Sequence, residues 1–140
     1  PRLVTSPMPV VDVAEARLLD QLQDVVARSG TEARVLPQMT LSAFLYNGMK
    51  GLSRAQEHRA AALLASRQVD FLVVDAAWNP VAAVSLERDP LAAGEDDGVE
   101  AGACETAGIP FYWATTHGLP EVDLEEIGLR VSGAASIAAQ

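Results

Sequence analysis

The fold turns on three consecutive pieces: Val69-Asp70-Phe71-Leu72-Val73-Val74-Asp75, Ala76-Ala77-Trp78-Asn79-Pro80, and Val81-Ala82-Ala83-Val84-Ser85-Leu86-Glu87-Arg88-Asp89. Two short runs rich in β-branched and apolar residues, split by an Asn-Pro turn signal, predict an antiparallel hairpin. The period of two places Asp70, Leu72 and Val74 on one face of the first strand, with Val69, Phe71 and Val73 on the other. Neither face is built for water, so the hairpin belongs in the core. On the second strand Ala83, Ser85 and Glu87 share a face, opposite Val84 and Leu86. An acid at the start of one buried strand and a Ser-x-Glu at the end of its neighbour are therefore expected to converge.

Outward from the hairpin, the chain reads as alternating helices and strands. Pro7 and Pro9 keep an arm of about residues 1–10 extended. Asp12 then has N-cap chemistry, with Glu15 at capping-box spacing and Leu18, Leu19, Leu22, Val25 and Val26 at helical spacing until Gly30. Ala33 to Leu36 is extended before Pro37, and Met39 to Leu45 continues either as strand or as a helical turn. Gly48 and Gly51 mark a loop, and Ser53 caps a helix from Arg54 to Ser66. His58 on that helix has no metal-binding partner at helical spacing and reads as a surface residue. Past the hairpin, an acidic start leads into a helix from Val99 to Ala107 that Gly108 ends. Ile109 to Trp113 is a buried strand, Asp123 to Leu129 a last short helix, and residues 132–140 a loose tail.

A chain of 140 residues with 49% apolar and 21% charged residues is the size and composition of one globular domain. The net charge of −9 is unevenly spread: residues 1–69 carry eight basic and six acidic side chains, residues 70–140 two and thirteen. An anionic second half repels phosphates, so nucleic acid would have to use the modest basic patch of Arg34, Lys50, Arg54, Arg59 and Arg67. Cys104 is the single cysteine, which excludes an internal disulfide and a cysteine zinc cluster. With no apolar run near bilayer length, a cytoplasmic setting is expected. The absence of an initiating Met suggests a processed chain or a piece of a longer one. Ser85 has neither a partner His nor a Gly-x-Ser-x-Gly turn, which argues against a serine hydrolase.

The order of elements, Val69-Asp70-Phe71, Ala83-Val84-Ser85-Leu86-Glu87 before Arg88-Asp89, and Ala107-Gly108-Ile109-Pro110 together resemble a bacterial domain of unknown function in the restriction-endonuclease-like, or PD-(D/E)XK nuclease, superfamily. The resemblance covers most of the chain. It implies an α/β, three-layer fold with a mixed central sheet flanked by helices. It also implies a site in which carboxylates hold Mg²⁺ or Mn²⁺ to activate water against a phosphodiester. Asp70 matches the first-strand acid and Glu15 the assisting helix acid. Ser85 stands at the second-strand acid, and Glu87 takes the place of a further acid. In the following helix Glu100 stands where relatives carry a lysine, and Lys50 is the only lysine in the chain.

With at least two charge-stabilising groups altered, the expectation is a nuclease-like domain without catalysis, needing no cofactor. It would serve as an interaction or structural module whose partner is a protein or a second copy, with Trp78 at the hairpin tip as a contact. The enzyme alternative is a metal-dependent endonuclease using Asp70, Glu87 and Glu15, with Asp70 and Glu87 on the metal and Lys50, Arg54 and Arg59 on the nucleic acid. A further alternative is nucleic-acid binding without cleavage. Each residue also has a plainer role: Glu15 as a capping-box acid, Asp70 as an acceptor for a backbone amide, Glu87 as a solvated carboxylate, and Trp78 as a cover for the sheet edge.

Overall fold

The computed structural model describes residues 2–48, 50–87 and 97–139, the side chains of Asp97 and of 134–139 excepted. Arg88, Asp89, Leu91 and Asp96 lie outside the described residues. In chain order the elements are α1 (Val13–Ser29), β1 (Arg34–Thr40), a 3₁₀ turn (Leu41–Ala43), α2 (Arg54–Ser66), β2 (Gln68–Val74), β3 (Pro80–Leu86), α3 (Asp97–Thr106), β4 (Phe111–Ala114) and α4 (Glu121–Ala139). The four strands form one mixed sheet in the order β1-β2-β3-β4. The first three are antiparallel neighbours, and β4 returns parallel to β3 after the α3 crossover.

Local chemistry explains why the elements begin and end where they do. Asp12 accepts the Glu15 amide at 2.8 Å, while the Glu15 carboxylate accepts the Asp12 amide at 3.3 Å, closing the expected capping box. Gly30 ends α1 at φ 69°, in the left-handed region that glycine enters without a Cβ penalty. Ser53 and Gln56 form a second capping box on α2. Pro37 sits within β1, where it is tolerated because β1 is an edge strand. The stretch after it resolves as both alternatives in turn, strand to Thr40 and then a 3₁₀ turn.

Two apolar layers lie on opposite sides of the sheet. Leu18, Leu22 and Val26 of α1 and Ile127 and Val131 of α4 pack with Phe71, Val73, Val84 and Tyr112. On the other side Leu72, Val74 and Ala83 meet Leu41, Cys104 of α3 and Ile109, with Leu64 of α2 packed alongside. This is a three-layer α/β fold. Burial pushes the Cys104 thiol up to about 11, with Glu100 and Glu105 adding to the shift. At neutral pH it is an inert core thiol.

The last helix departs from expectation. It runs from Glu121 to Ala139 rather than from Asp123 to Leu129, so the stretch expected to be a loose tail is helical through Ala139. Ala134, Ala135, Ala138 and Ala139 are strong helix formers, and no proline stops them. Gly118 in the turn before α4 lies against α1: a Cβ there would fall 2.1 Å from Gln21 Oε1, the same oxygen that accepts the Leu119 amide at 2.8 Å.

Tyr112 ties α4 to the sheet. Its hydroxyl donates to Glu126 Oε1 at 2.6 Å, and Arg130 donates to the same oxygen at 3.3 Å. Burial first, and then the bond to the Glu126 carboxylate, push the phenol from 10.0 up to about 12. The unfolded chain therefore releases this proton at lower pH than the folded one, so stability is retained below pH 10 and falls between 10 and about 12. Tyr112→Phe is expected to cost about 1 kcal/mol below pH 10 and to flatten the alkaline fall, as read by urea unfolding across that range.

Candidate functional site: a polar fork in the sheet

The β1–β2 register pairs Pro37 with Phe71 and Met39 with Val69 but skips Gln38 and Asp70 between them. Gln38 adopts φ 53°, a left-handed conformation unusual for a side chain-bearing residue. On the other side of β2 the last regular pair is Phe71 with Val84, so Asp70 and Ser85 face each other where the hairpin opens. Side chains then replace ladder bonds. The Asp70 amide donates to Ser85 Oγ at 3.2 Å, and the Leu86 amide donates to Asp70 Oδ2 at 2.7 Å. The sheet forks around Asp70.

This fork also shifts the phase of β2. Val69 packs with Leu72 and Val74 instead of with Phe71 and Val73. The strict alternation expected along β2 fails at Asp70, because a residue whose side chain bonds the neighbouring backbone no longer follows the pleat.

Glu15 reaches the same place from the first turn of α1. Its Oε2 accepts from the Gln38 amide group, and Gln38 Oε1 in turn accepts from Gln68. Glu15, Asp70 and Ser85 are the buried polar residues of the described chain, each under 9% exposed. Burial pushes the Glu15 carboxyl up; the Asp12 amide pulls it down, and the Asp12 and Asp70 carboxylates push it up again. The capping role and the site role of Glu15 are thus compatible, one carboxylate oxygen serving each.

The other residues expected at or near the site stand elsewhere. Glu87 is exposed, and its backbone amide donates to Ala114 O at 2.7 Å, which ties the end of β3 to β4. Glu100 pairs with Arg67 at 3.6 Å, both side chains largely covered. Lys50, Arg54 and Arg59 are exposed in and after the loop before α2. Arg34, opposite Val74 at the hairpin-tip end of β1, lies 4.6 Å over the Trp78 ring. The basic residues therefore form no single patch: Arg34 and Arg67 sit at opposite ends of β2, one stacked and one paired. Glu100→Lys would set two cations against each other, and a loss of about 1 kcal/mol is expected in thermal unfolding.

Sequence reasoning missed Gln38 and Gln68. Their signal is not local, since it lies in a left-handed turn of the backbone and a contact 30 residues apart. Trp78 is partly exposed as expected, at 58%, and its φ of 68° is left-handed. Asp75 holds the turn, accepting the Ala77 and Asn79 amides at 2.9 Å each.

For a metal, the donor set fits poorly. One Asp70 oxygen is bound to the Leu86 amide, Ser85 supplies a hydroxyl where an acid is needed, and Glu87 faces solvent. Among the described residues no three His, Cys, Asp or Glu side chains stand where they would hold a metal ion.

With this geometry in view, one family matches: DUF2726, described as a protein of unknown function, over residues 8–122. The chain belongs to that family. Its matched span runs from the arm through α1, the fork and β4 to the start of α4, so every residue of the polar fork lies inside it. No curated protein and no solved structure matches the chain. No helix among the described residues is long and apolar enough to cross a membrane.

Proposed function

We propose that this DUF2726 domain is a nuclease-like scaffold in which the catalytic position has become structural, and that it acts as an interaction or structural module. The observation that carries this reading is the Leu86 amide bound to Asp70 Oδ2 at 2.7 Å. A divalent cation can take a carboxylate through a single oxygen; what marks Asp70 as structural is that its Oδ2 closes the fork between two strands. Support for the restriction-endonuclease-like ancestry comes from a helix, three antiparallel strands with α2 between the first and the second, a crossover helix and a parallel fourth strand, with Asp70 and Ser85 facing each other at the hairpin's open end.

The competing proposal is a Mg²⁺- or Mn²⁺-dependent endonuclease. It draws on the approach of Glu15 and Asp70, two buried carboxylates close enough for one to raise the other's pKa. Calorimetric titration of Mn²⁺ into the wild type and into Asp70→Asn, with plasmid nicking on the same samples, separates the two. No binding at millimolar Mn²⁺ and no nicking are expected. Binding and nicking that vanish together in Asp70→Asn would overturn the scaffold reading and restore the enzyme.

For the module, Trp78 is the surface contact we propose. A bulky residue in a left-handed turn costs on the order of 1 kcal/mol that glycine would not, and the cation–π contact with Arg34 repays about that much at an exposed site. Trp78→Gly should leave stability within about 0.5 kcal/mol.

A further inference from the structure

The two edges of the sheet are built differently. β1 carries Pro37 and the left-handed Gln38, features that spoil an edge for pairing. β4, Phe111-Tyr112-Trp113-Ala114, has no proline and no charge, and its register with β3 is unbroken. The ladder between them runs through the Pro110 and Ala114 carbonyls, which accept the Ala83 and Glu87 amides at 2.9 and 2.7 Å. Backbone groups of alternate residues point to opposite sides of a strand, so Tyr112 and Ala114 face β3 while the N–H and C=O of Phe111 and Trp113 face away from it. Among the described residues no strand lies beyond β4. Side chains mark the same edge: the Phe111 and Trp113 rings lie 5.0 Å apart, and Trp113 is 39% exposed. No Asp, Glu, Lys or Arg stands between Glu105 and Glu121. In a chain of net charge −9, two copies meeting along this strand set no charge of the strand or its flanks against another.

We propose that β4 pairs antiparallel with β4 of a second copy, about a two-fold axis through Tyr112, joining two sheets into one. The spacing of the outward groups decides the partner. They stand one residue to each side of Tyr112, so the two-fold sets Phe111 of either copy opposite Trp113 of the other. These are hydrogen-bonded pairs, in which opposite residues exchange both N–H···O bonds. Every outward group of one copy is met by an outward group of the other, the self-complementarity that a two-fold interface requires. Opposite residues of antiparallel strands share a face, so the Phe111–Trp113 contact within each copy is continued by a cross-strand aromatic pair, a kind that stabilises sheets. A free peptide offers the same backbone bonds but must be ordered first, whereas a second folded copy brings its strand already extended. This names a partner for the module reading without resting on it: the contact uses neither Asp70 nor Trp78, so its failure leaves the Mn²⁺ titration and the hairpin-tip contact to be decided on their own.

Sedimentation equilibrium of the full chain tests this with three variants. Trp113→Pro removes an amide that the ladder with β3 does not use, the position at which an edge strand tolerates proline. Trp113→Thr removes the ring and keeps the amide. Trp78→Gly changes the other exposed tryptophan, at the hairpin tip. A reversible dimer below about 1 mM is expected for the wild type and for Trp78→Gly, weakened about threefold or more by Trp113→Thr and at least about tenfold by Trp113→Pro, with circular dichroism and thermal unfolding showing the native fold in each. Amide hydrogen exchange of the wild type needs no variant: protection of Phe111 and Trp113 should rise with protein concentration. A wild type that stays monomeric at millimolar concentration overturns the proposal. So does a dimer that survives Trp113→Pro, one that is lost in Trp78→Gly, or protection of the two amides that does not change with concentration.

Discussion

Asp70→Ala is expected to destabilise the protein by about 3 kcal/mol, lowering the midpoint of thermal unfolding by about 10 °C. The Leu86 amide is buried with its residue at 5% exposure and donates to Asp70 Oδ2. Truncation removes a charged acceptor, worth about 1.5–3 kcal/mol, and strands the donor in a place water does not easily enter. Asp70→Asn keeps one carbonyl oxygen for the same amide and should lose only about 1 kcal/mol. The sign of the effect separates a structural role from a catalytic one. A carboxylate retained for metal binding repels its acidic neighbours in the metal-free protein, so its removal stabilises the fold, as is common for active-site groups. Urea unfolding of both variants without added metal gives the answer, and an Asp70→Ala variant at least as stable as the wild type would return Asp70 to the list of catalytic candidates.

The sequence made the hairpin legible because β-branched density and an Asn-Pro break are local signals, and the starts of α1 and α2 were legible because a capping box at Asp12 and a capping Ser53 are local too. Alternation of helices and strands gave an α/β domain with a mixed sheet, while the three-layer order was implied by the family resemblance. What escaped were features decided by tertiary contact. Phase along β2 is lost at Asp70 because its side chain bonds β3, which no periodicity in residues 69–74 reveals. Gln38 enters the site only through a left-handed φ, and proline at position 37 gives no sign of it. Glu87 shares a strand face with Ser85, yet β3 ends at Leu86 and Glu87 stands in solvent beyond it. The extent of α4 was underestimated for a different reason: an Ala/Ser/Gly-rich end without amphipathic pattern reads as loose, although alanine by itself favours helix.

Ser85→Glu is the complementary test, because it returns an acid to the position that the superfamily resemblance assigns to one. Ser85 is 8% exposed and accepts the Asp70 amide through Oγ. A carboxylate introduced there enters a space already holding Asp70, with Glu15 close by. A loss of about 3 kcal/mol at neutral pH is expected, the size of an uncompensated buried charge after relaxation. The pH dependence carries the sign. Burial and like charge raise the folded pKa of the introduced carboxyl above its unfolded value near 4.3, so the folded variant binds the extra proton more tightly. The deficit against wild type should therefore be smallest below the unfolded value, widen as pH rises from there to the folded value, and level off above it. Millimolar Mn²⁺ should recover part of the loss, since a ligand that binds only the folded state stabilises it in proportion to the logarithm of its saturation. Recovery by Mn²⁺ in Ser85→Glu, without recovery in wild type, would locate the loss of chemistry at a single side chain. A variant as stable as the parent at pH 7 and indifferent to metal would mean that position 85 opens to solvent, and that the fork is held by Asp70 alone.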